Sequence, residues 1–581
     1  MYSKIKVSSP LKIGIILVMV AVIASAVAAL SVFDSEADGT SAELPESGLC
    51  GTNATYSYYS DGTLVIAGSG NMYDYQFAGT PWFGHTDSIR KIVIGDGITS
   101  LSNWAFIKCT NLKELTMPIT LNSVKSDTHA AFEGCCNIEK ITFSLGKDGY
   151  CCDYTAYKGT SDAWYGKTPW YQSRDTLKEI VIPDGTTHIG SDAFRELNIT
   201  SVVVPESVTS VGSHCFYNCK KLTDLTISLS VNPYGNEDYP AFQGCTSLSN
   251  ITVTRGTGSP YSYDSWTGGS EGLKYAPWNL CPDVPKRLTI AENVTSLGKV
   301  LFQNCYIVEL TIPISLNAVW LDSYANFKDV TTIEKVTFTP GSGYGFNYAA
   351  SRDSNCWFGS TPWYYSRAVL KEVVFEEGIT HIGNEALRNL NITSLVIPDT
   401  VESLGSHTFY QCSKLKELTI PISLDSVASA NSPAFEGCSL ETVNFTPGAY
   451  GIGYDYSEGY YPPWANVDGT SITRLTFDGY VLYIGHETFH GYTFHGKYGE
   501  MKPYGYNLWG RSFEGADGDM WLCGSEVTDQ EKPSGGDVPE PDLEISGSSD
   551  LSSAVRTVFQ YVDSLFLRFM AFLETLMGSL S

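Results

Sequence analysis

The sequence predicts a mainly β solenoid with short parallel strands and about fifteen turns, plus an amphipathic helix at the C-terminal end. Three observations support this fold class. A unit of 22 or 23 residues recurs along the chain, a longer section is duplicated, and the 581 residues include 54 glycines and 36 tyrosines. Repeats of this length are typical of solenoids, and this composition suits turns and short strands better than long helices.

The duplication becomes visible when the chain is shifted by 193 residues, because Thr168–Cys219 then superposes on Thr361–Cys412. Inside the first copy, Leu177–Asn198 and Ile199–Lys221 share the pattern L-x-x-I-x-I-P-x-x-V-T-x-I-G-x-x-A-F-x-x-C. The dipeptide Pro-Trp marks the larger spacing, with its tryptophan at Trp82, Trp170, Trp278, Trp363 and Trp464. A single turn cannot bury its own apolar face, so the core must form between stacked turns.

Within one turn, the apolar positions of the strand segment are expected to face inward and the positions between them outward. In the first copy the inward residues are Leu177, Ile180 and Ile182, and Phe194 returns to the core. Strand segments of this kind begin at Ile89, Leu112, Ile138, Leu177, Ile199, Leu222, Leu248, near Leu288, and at Ile307, Ile333, Leu370, Ile392, Leu415, Leu440 and Ile472.

The recurring pattern resembles the BspA-type leucine-rich repeat family of secreted and surface proteins, from about Leu49 to about Gly499. The opening segment Ser47–Tyr75 is also similar to the segment that often precedes these repeats. The resemblance implies a leucine-rich-repeat solenoid on a protein associated with adhesion and ligand binding, and it implies no catalytic residues. Long inserts rich in Gly, Tyr and Ser depart from the pattern at Ser144–Lys167, Thr254–Tyr275 and Thr339–Ser360.

The N-terminal segment has three lysines in its first twelve residues and then an uncharged apolar run from Ile13 to Phe33. This arrangement is typical of an export signal, and the run is also long enough for an uncleaved membrane anchor. We therefore expect a secreted or cell-surface protein, with anchoring by this segment as an open alternative.

The C-terminal end combines an acidic, proline-containing stretch with an apolar pattern that steps by three and four residues. The first predicts a solvated linker and the second an amphipathic helix that self-associates or lies on a membrane surface, with docking on the main body as the alternative. The predicted divisions are a signal peptide or anchor at 1–34, a linker at 35–48, an N-terminal β cap at 49–79, the solenoid at 80–500, a C-terminal cap at 501–525, the acidic linker at 526–550 and the helix at 551–581.

Seven of the fifteen cysteines occupy one position after the repeat phenylalanine, which predicts buried thiols in the core. They are Cys109, Cys135, Cys219, Cys245, Cys305, Cys412 and Cys438. Among the others, Cys136 with Cys151 or Cys152 is the most local candidate for a disulfide after export.

Two sets of residues are candidates for binding an extracellular protein or glycan. The outward strand positions form one surface, and concave solenoid faces commonly bind extended partners. The residues at these positions are Lys178, Glu179, Thr200, Ser201, Thr223, Asp224, Lys371, Glu372, Thr393, Ser394, Lys416 and Glu417. The inserts supply exposed aromatic rings: Tyr261, Tyr263, Trp266, Trp357, Tyr454 and Tyr456. A merely solvated face, and aromatic rings that fill gaps between repeats, are the structural alternatives. The net charge of −26 disfavours nucleic acid.

The segment His486–His490 matches the H-E-x-x-H pattern of zinc proteases. It superposes on an ordinary repeat turn, Ser191–Arg195, and an extended helical pattern is absent around it, so the sequence predicts no metal, no cofactor and no enzyme. An adhesin or ligand-binding module is the first hypothesis. The second is an envelope-structural protein that self-associates through residues 551–581, and the third is a secreted hydrolase.

Overall fold

The computed structural model describes residues 45–121, 130–151, 168–231, 240–258, 276–298, 301–317, 326–348, 361–425 and 433–449, together with residues 453 and 463–464 and the backbone of three later strands. The chain divides into two compact units, Met1–Ser525 and Glu526–Ser581, and every described residue lies in the first. The described residues are mainly β. Their helical segments are short 3-10 turns at Phe83–His85, Tyr171–Ser173, Pro277–Asn279 and Tyr364–Ser366.

The strands are short and follow the predicted repeat. They are β1 Glu46–Leu49, β2 Gly51–Tyr58, β3 Thr63–Met72, β4 Lys91–Ile94, β5 Ile98–Ser100, β6 Glu114–Pro118, β7 Lys140–Ser144, β8 Glu179–Val181, β9 His188–Ile189, β10 Ser201–Val203, β11 Ser210–Val211, β12 Asp224–Ser228, β13 Asn250–Thr254, β14 Lys286–Ile290, β15 Ile307–Pro313, β16 Lys335–Thr339, β17 Glu372–Phe375, β18 His381–Ile382, β19 Ser394–Val396, β20 Ser403–Leu404, β21 Glu417–Pro421, β22 Thr442–Thr446, β23 Arg474–Phe477, β24 Ser512–Glu514 and β25 Met520–Leu522.

The first three strands form an antiparallel sheet, and β3 then pairs in parallel with β4. This sheet begins at Glu46, three residues before the predicted start of the cap. Successive turns continue the ladder as β4-β6-β7-β8, β10-β12-β13-β14-β15-β16-β17 and β19-β21-β22-β23, all in parallel. Two lateral pairs, β9 with β11 and β18 with β20, lie outside this ladder, and β24 pairs with β25 in the antiparallel sense.

The described residues form a β-solenoid of about twelve turns with little helix. The predicted number of fifteen turns is therefore not confirmed. The predicted C-terminal helix, residues 551–581, lies outside the described residues, as do residues 1–34 and the linker 526–550.

Side chains along each strand alternate between the core and the outside, as the pattern predicts. In β8 and the residue before it, Ile180 is buried while Lys178, Glu179 and Val181 are exposed. Phe194 is fully buried, which confirms that the closing segment returns to the core.

Aromatic rings from successive closing segments stack along the axis of the solenoid. Ring centroids of Phe194 and Phe216 are 5.4 Å apart, and those of Phe216 and Phe242 are 5.0 Å apart. Trp170 starts this column, 5.6 Å from Phe194, and its indole N–H donates to the Ala193 carbonyl at 2.6 Å. The same indole bond to the next turn recurs from Trp82, Trp278 and Trp363. The tryptophan of the Pro-Trp motif therefore buries a large apolar ring, and its indole N–H also finds a hydrogen-bond acceptor in the next turn.

The seven repeat cysteines are all buried, which confirms the prediction from their spacing. Their sulfur atoms also bond to the preceding turn: the Cys219 thiol donates to the Phe194 carbonyl at 3.1 Å, and the Cys245 thiol to the Phe216 carbonyl at 3.1 Å. Cys135, Cys412 and Cys438 make the equivalent bond. A small side chain thus fills the core and adds a hydrogen bond to a carbonyl of the preceding turn.

We predict that Trp170→Phe lowers the free energy of unfolding by about 1–3 kcal/mol, because the buried Ala193 carbonyl loses its donor. The measurement is the midpoint of denaturant unfolding. The control is Tyr344→Phe, which removes a hydroxyl from an exposed ring and should change stability by less than about 0.5 kcal/mol. Equal midpoints for Trp170→Phe and the wild-type protein would contradict the role given to the indole bond.

Thiol modification tests the burial of the cysteine column. Cys136 is exposed, whereas Cys219 has no exposed surface. We therefore expect Cys136→Ser to remove one rapidly modified thiol from the native protein, and Cys219→Ala to leave the number of rapidly modified thiols unchanged. Mass spectrometry after brief alkylation gives the count, and rapid modification of Cys219 in the folded chain would show that the column is open to solvent.

Candidate ligand-binding surface

The outward side of the parallel ladder, here called the strand face, carries two kinds of positions. The two residues that precede the first buried strand residue are mostly charged or polar. The next outward position holds a β-branched residue in most turns, such as Val93, Thr116, Thr142, Val181 and Val203. Because neighbouring strands pair in register, each position forms a row that runs along the solenoid.

The structure places all twelve predicted strand-face residues on this side of the ladder. Thr223 is half-buried and the other eleven are exposed. They occur in two groups along the chain, one in each copy of the duplication, and each group lies at the start of three successive ladder strands rather than in loops. The sequence pattern therefore predicted their orientation, whereas their role in binding a ligand stays a prediction.

Charged residues of the same row pair between adjacent turns. The shared feature is a lysine or arginine from one turn and a glutamate from the next: Lys91–Glu114, Lys113–Glu139, Lys178–Glu139, Lys140–Glu179, Arg287–Glu309, Lys335–Glu372, Lys371–Glu334 and Lys416–Glu441. Most of these side chains are exposed, so each pair contributes little to stability. Their main effect is that the two signs of charge alternate along the strand face and compensate locally.

Glu139 forms ion pairs with both neighbouring turns. Its carboxylate contacts Lys113 Nζ at 2.7 Å and Lys178 Nζ at 2.6 Å. Hydrogen bonding to Lys113, and then to Lys178, lowers the pKa of Glu139 to about 2. A single glutamate therefore joins three successive turns on the strand face.

Polar, uncharged side chains replace the ion pairs between the charged groups. Asn250 donates from Nδ2 to Asp224 Oδ1 at 2.8 Å, and Asp224 also accepts a hydrogen bond from Thr223. Thr200 and Ser201 continue this polar stretch on the preceding strand. The middle of the first copy therefore offers hydroxyl and amide groups rather than paired charges.

The closing side of the solenoid carries a second feature, which the sequence did not single out as a cluster. Arg195 Nη1 lies 3.0 Å from Asp192 Oδ1, and the guanidinium lies 4.5 Å from the centre of the Tyr217 ring. The His214 ring lies 4.5 Å from the same tyrosine. Burial raises the pKa of Asp192, and burial also lowers the pKa of His214.

A second copy of this cluster lies 193 residues further on. Arg388 contacts Glu385 at 2.8 Å and lies 4.6 Å from the centre of the Tyr410 ring, while His407 Nε2 is 3.2 Å from Glu436 Oε2. Arginine and tyrosine come from successive turns in both copies, so we interpret the clusters as ties between turns. The equivalence of His214 and His407 under the shift was the available sequence signal, but the arginines that contact the same tyrosines come from the preceding turn.

Several candidate residues lie outside the described residues. These are the six aromatic insert residues Tyr261, Tyr263, Trp266, Trp357, Tyr454 and Tyr456, the segment His486–His490, and Cys152. Cys136 is exposed and Cys151 is buried, and no disulfide joins these two described residues.

Two further properties concern only the part of the chain that the structure describes. Within it, no group of three or more His, Cys, Asp or Glu side chains is arranged to hold a metal ion. Within the same residues, no helix combines the length and the apolar character that crossing a membrane requires.

We predict that Lys113→Ala and Lys178→Ala each raise the pKa of Glu139 towards its usual range, with the larger change in Lys113→Ala. Because the pKa of Glu139 is lowered on folding, its contribution to stability is present above the unfolded pKa of about 4.3 and is lost as the pH falls towards about 2. Carbon NMR of the carboxyl group measures the titration. Lys371→Ala is the control, since its partner is Glu334, and it should leave the pKa of Glu139 unchanged.

Three solved structures are similar to the chain. A leucine-rich repeat protein from Bacteroides ovatus matches 76% of this chain and 100% of its own at 13% identity, with a TM-score of 0.22. A leucine-rich cell surface protein from Faecalibacterium prausnitzii matches 71% and 96% at 16% identity, with a TM-score of 0.19. The pneumococcal vaccine antigen PcpA matches 75% and 88% at 12% identity, with a TM-score of 0.19.

No curated protein matches the chain. The model of the BspA type leucine rich repeat region, in contrast, matches six copies, and the matched segments together cover more than half of the sequence. They are residues 77–152, 168–262, 283–349 and 362–457. These segments contain the stacked strands, the phenylalanine column and the cysteine column described above, and the chain therefore belongs to the BspA-type leucine-rich repeat family.

Proposed function

We propose that the protein is an exported cell-surface repeat protein whose strand face binds an extracellular protein or glycan. The observation that carries this proposal is the set of rows of outward side chains on ladders of paired strands. Such a surface holds many polar groups at fixed spacing on a rigid support, which suits recognition of an extended partner.

Family membership supports a surface role, and two of the similar structures are named as a cell surface protein and a vaccine antigen. The apolar N-terminal run after three lysines supports export. In this proposal, residues 1–34 act as the export signal or as an anchor, and residues 551–581 form an amphipathic helix that provides self-association or contact with a membrane surface.

We also propose an array of about fifteen turns, because a short parallel strand lies at each of the predicted repeat starts.

The proposal assigns no catalytic step. Several strand-face carboxylates are held by lysines of neighbouring turns, as Glu139 and Glu179 are, and the arrangement of these carboxylates is explained by ties between turns. A binding role needs only the surface that these ties hold in place.

The test is binding of the purified full-length protein to intact cells, glycans and extracellular proteins. We expect a saturable interaction that falls at least about tenfold in the double variant Asp224→Arg/Glu417→Arg, because two exposed strand-face carboxylates become bulky cations. The control Lys220→Glu/Lys414→Glu reverses two exposed charges away from the strand face and should keep the affinity.

Equal loss in both double variants would indicate a general charge effect rather than recognition by the strand face. Absence of saturable binding by folded protein to every member of the panel would contradict the proposed function.

A further inference from the structure

Three aromatic rings meet near the N-terminal end of the solenoid, where the loop after β3 contacts the closing segment of the β4 turn. This cluster, here called the aromatic corner, consists of Phe77, Phe83 and Trp104. The ring centroids of Phe77 and Trp104 are 5.9 Å apart at an interplanar angle of 88°, and those of Phe77 and Phe83 are 6.2 Å apart. Phe77 is 52% exposed, and the other two residues are half-buried. Two nearly perpendicular ring planes therefore leave apolar surface open to solvent.

The backbone holds the two outer rings in place. Trp104 has a φ of 52°, and Ala78, which follows Phe77, has a φ of 62°. A residue as bulky as tryptophan rarely adopts this left-handed conformation. The loop that carries Phe77 is tied to the closing segment, because Tyr75 N donates a hydrogen bond to Ser102 Oγ at 2.8 Å. The aromatic corner is thus formed before a ligand arrives.

Equivalent positions in the duplicated copies carry charged residues instead of an aromatic ring. Asp192 and Glu385 stand where Trp104 does, with φ values of 55° and 56°. Each of them pairs with an arginine three residues further on, Arg195 or Arg388. The repeat therefore folds without an aromatic ring at this position. A strained and partly exposed tryptophan there indicates a role beyond the stacking of turns.

A cation lies beside the aromatic corner. Lys108 is exposed, and its Nζ lies 5.6 Å from the centre of the Phe77 ring. The start of its side chain rests against Gly134 of the next turn, where an added Cβ would lie 3.4 Å from Lys108 Cγ. Among the described residues no carboxylate forms an ion pair with Lys108, unlike the lysines of the strand face. Its ammonium group is available to an anionic group of a ligand.

Aromatic surface next to an ammonium group fits a sugar that carries a carboxylate. The C–H groups on one face of a pyranose ring pack against an aromatic ring, and the carboxylate pairs with the ammonium group. The net charge of −26 repels a highly charged polyanion. For a single carboxylate this repulsion is screened beyond about 8 Å at physiological ionic strength, so the nearby cation dominates. Three rings are also much smaller than the area of about 800 Å² that each partner of a protein complex buries.

We propose that the aromatic corner and Lys108 form a binding site for an acidic sugar residue of an extracellular glycan, a uronic acid or a sialic acid. The sugar ring packs against Phe77 and Trp104, and its carboxylate pairs with Lys108 Nζ. The site lies on the closing side of the solenoid rather than on the strand face. It is therefore additional to the strand-face binding proposed above and does not depend on it.

The test measures binding of trigalacturonate and of 3′-sialyllactose to the full-length protein, by titration calorimetry and saturation-transfer NMR. The methyl esters of both compounds provide neutral ligands of the same shape. We expect saturable binding of at least one acid, and at least about tenfold weaker binding of its ester. Which acid binds distinguishes a uronic from a sialic acid site.

Substitutions separate the two contributions to binding. Lys108→Met should weaken binding of the acid at least about tenfold and leave binding of the ester unchanged. Phe77→Ala and Trp104→Asn should each weaken binding of the acid at least about tenfold, because the stacking surface is lost. Asparagine adopts the left-handed conformation readily, so Trp104→Asn should preserve the fold.

The matched controls are Lys220→Met and Tyr344→Ala, which remove an exposed ammonium group and an exposed ring elsewhere and should change affinity by less than about twofold. The proposal is overturned if neither acid binds, if the esters bind as well as the acids, or if the controls lose as much affinity as the site variants. Loss of acid binding in Asp224→Arg/Glu417→Arg would also overturn it, since the sugar would then lie on the strand face. The proposed function stands in any of these cases if that double variant loses binding to cells or extracellular proteins.

Discussion

Apolar contact between successive turns is the interaction on which the whole structure depends. A turn of 22 or 23 residues places a few inward side chains on one side only, and those side chains become buried when the next turn covers them. The stacked rings of Phe194, Phe216 and Phe242 show this dependence directly. Backbone bonds between closing segments, indole bonds and thiol bonds all act across the same boundary, so stability resides between turns rather than within them.

Much of this arrangement follows from the sequence, because each turn repeats the same local pattern. The alternation of inward and outward side chains depends only on neighbouring residues in a strand. It correctly predicted that Leu177, Ile180 and Ile182 face inward. The recurring position of the cysteines likewise gave their burial. Repetition strengthened each inference, since a chance match in one turn would not recur at the same position in the others.

Features that depend on contacts between two turns could not be predicted from the sequence. The sequence gives no direct sign that Glu139 contacts lysines from the turns before and after it, or that hydrogen bonding stops between β8 and β10. Both features depend on the distance between the backbones of two turns on the strand face, while hydrogen bonds join the same two backbones on the closing side. The number of turns was uncertain for a related reason, because long inserts break the spacing from which turns are counted.

The buried cysteine column has a consequence for the thiol chemistry of the protein. Thiol–disulfide exchange requires a thiolate that can approach another sulfur atom. Burial raises the pKa of Cys215, and hydrogen bonding to the neighbouring thiol, followed by burial, raises the pKa of Cys135 and Cys245. Sequestered, protonated thiols are poor partners for exchange. The solenoid can therefore keep many cysteines reduced without forming mismatched bridges, for as long as its turns remain stacked.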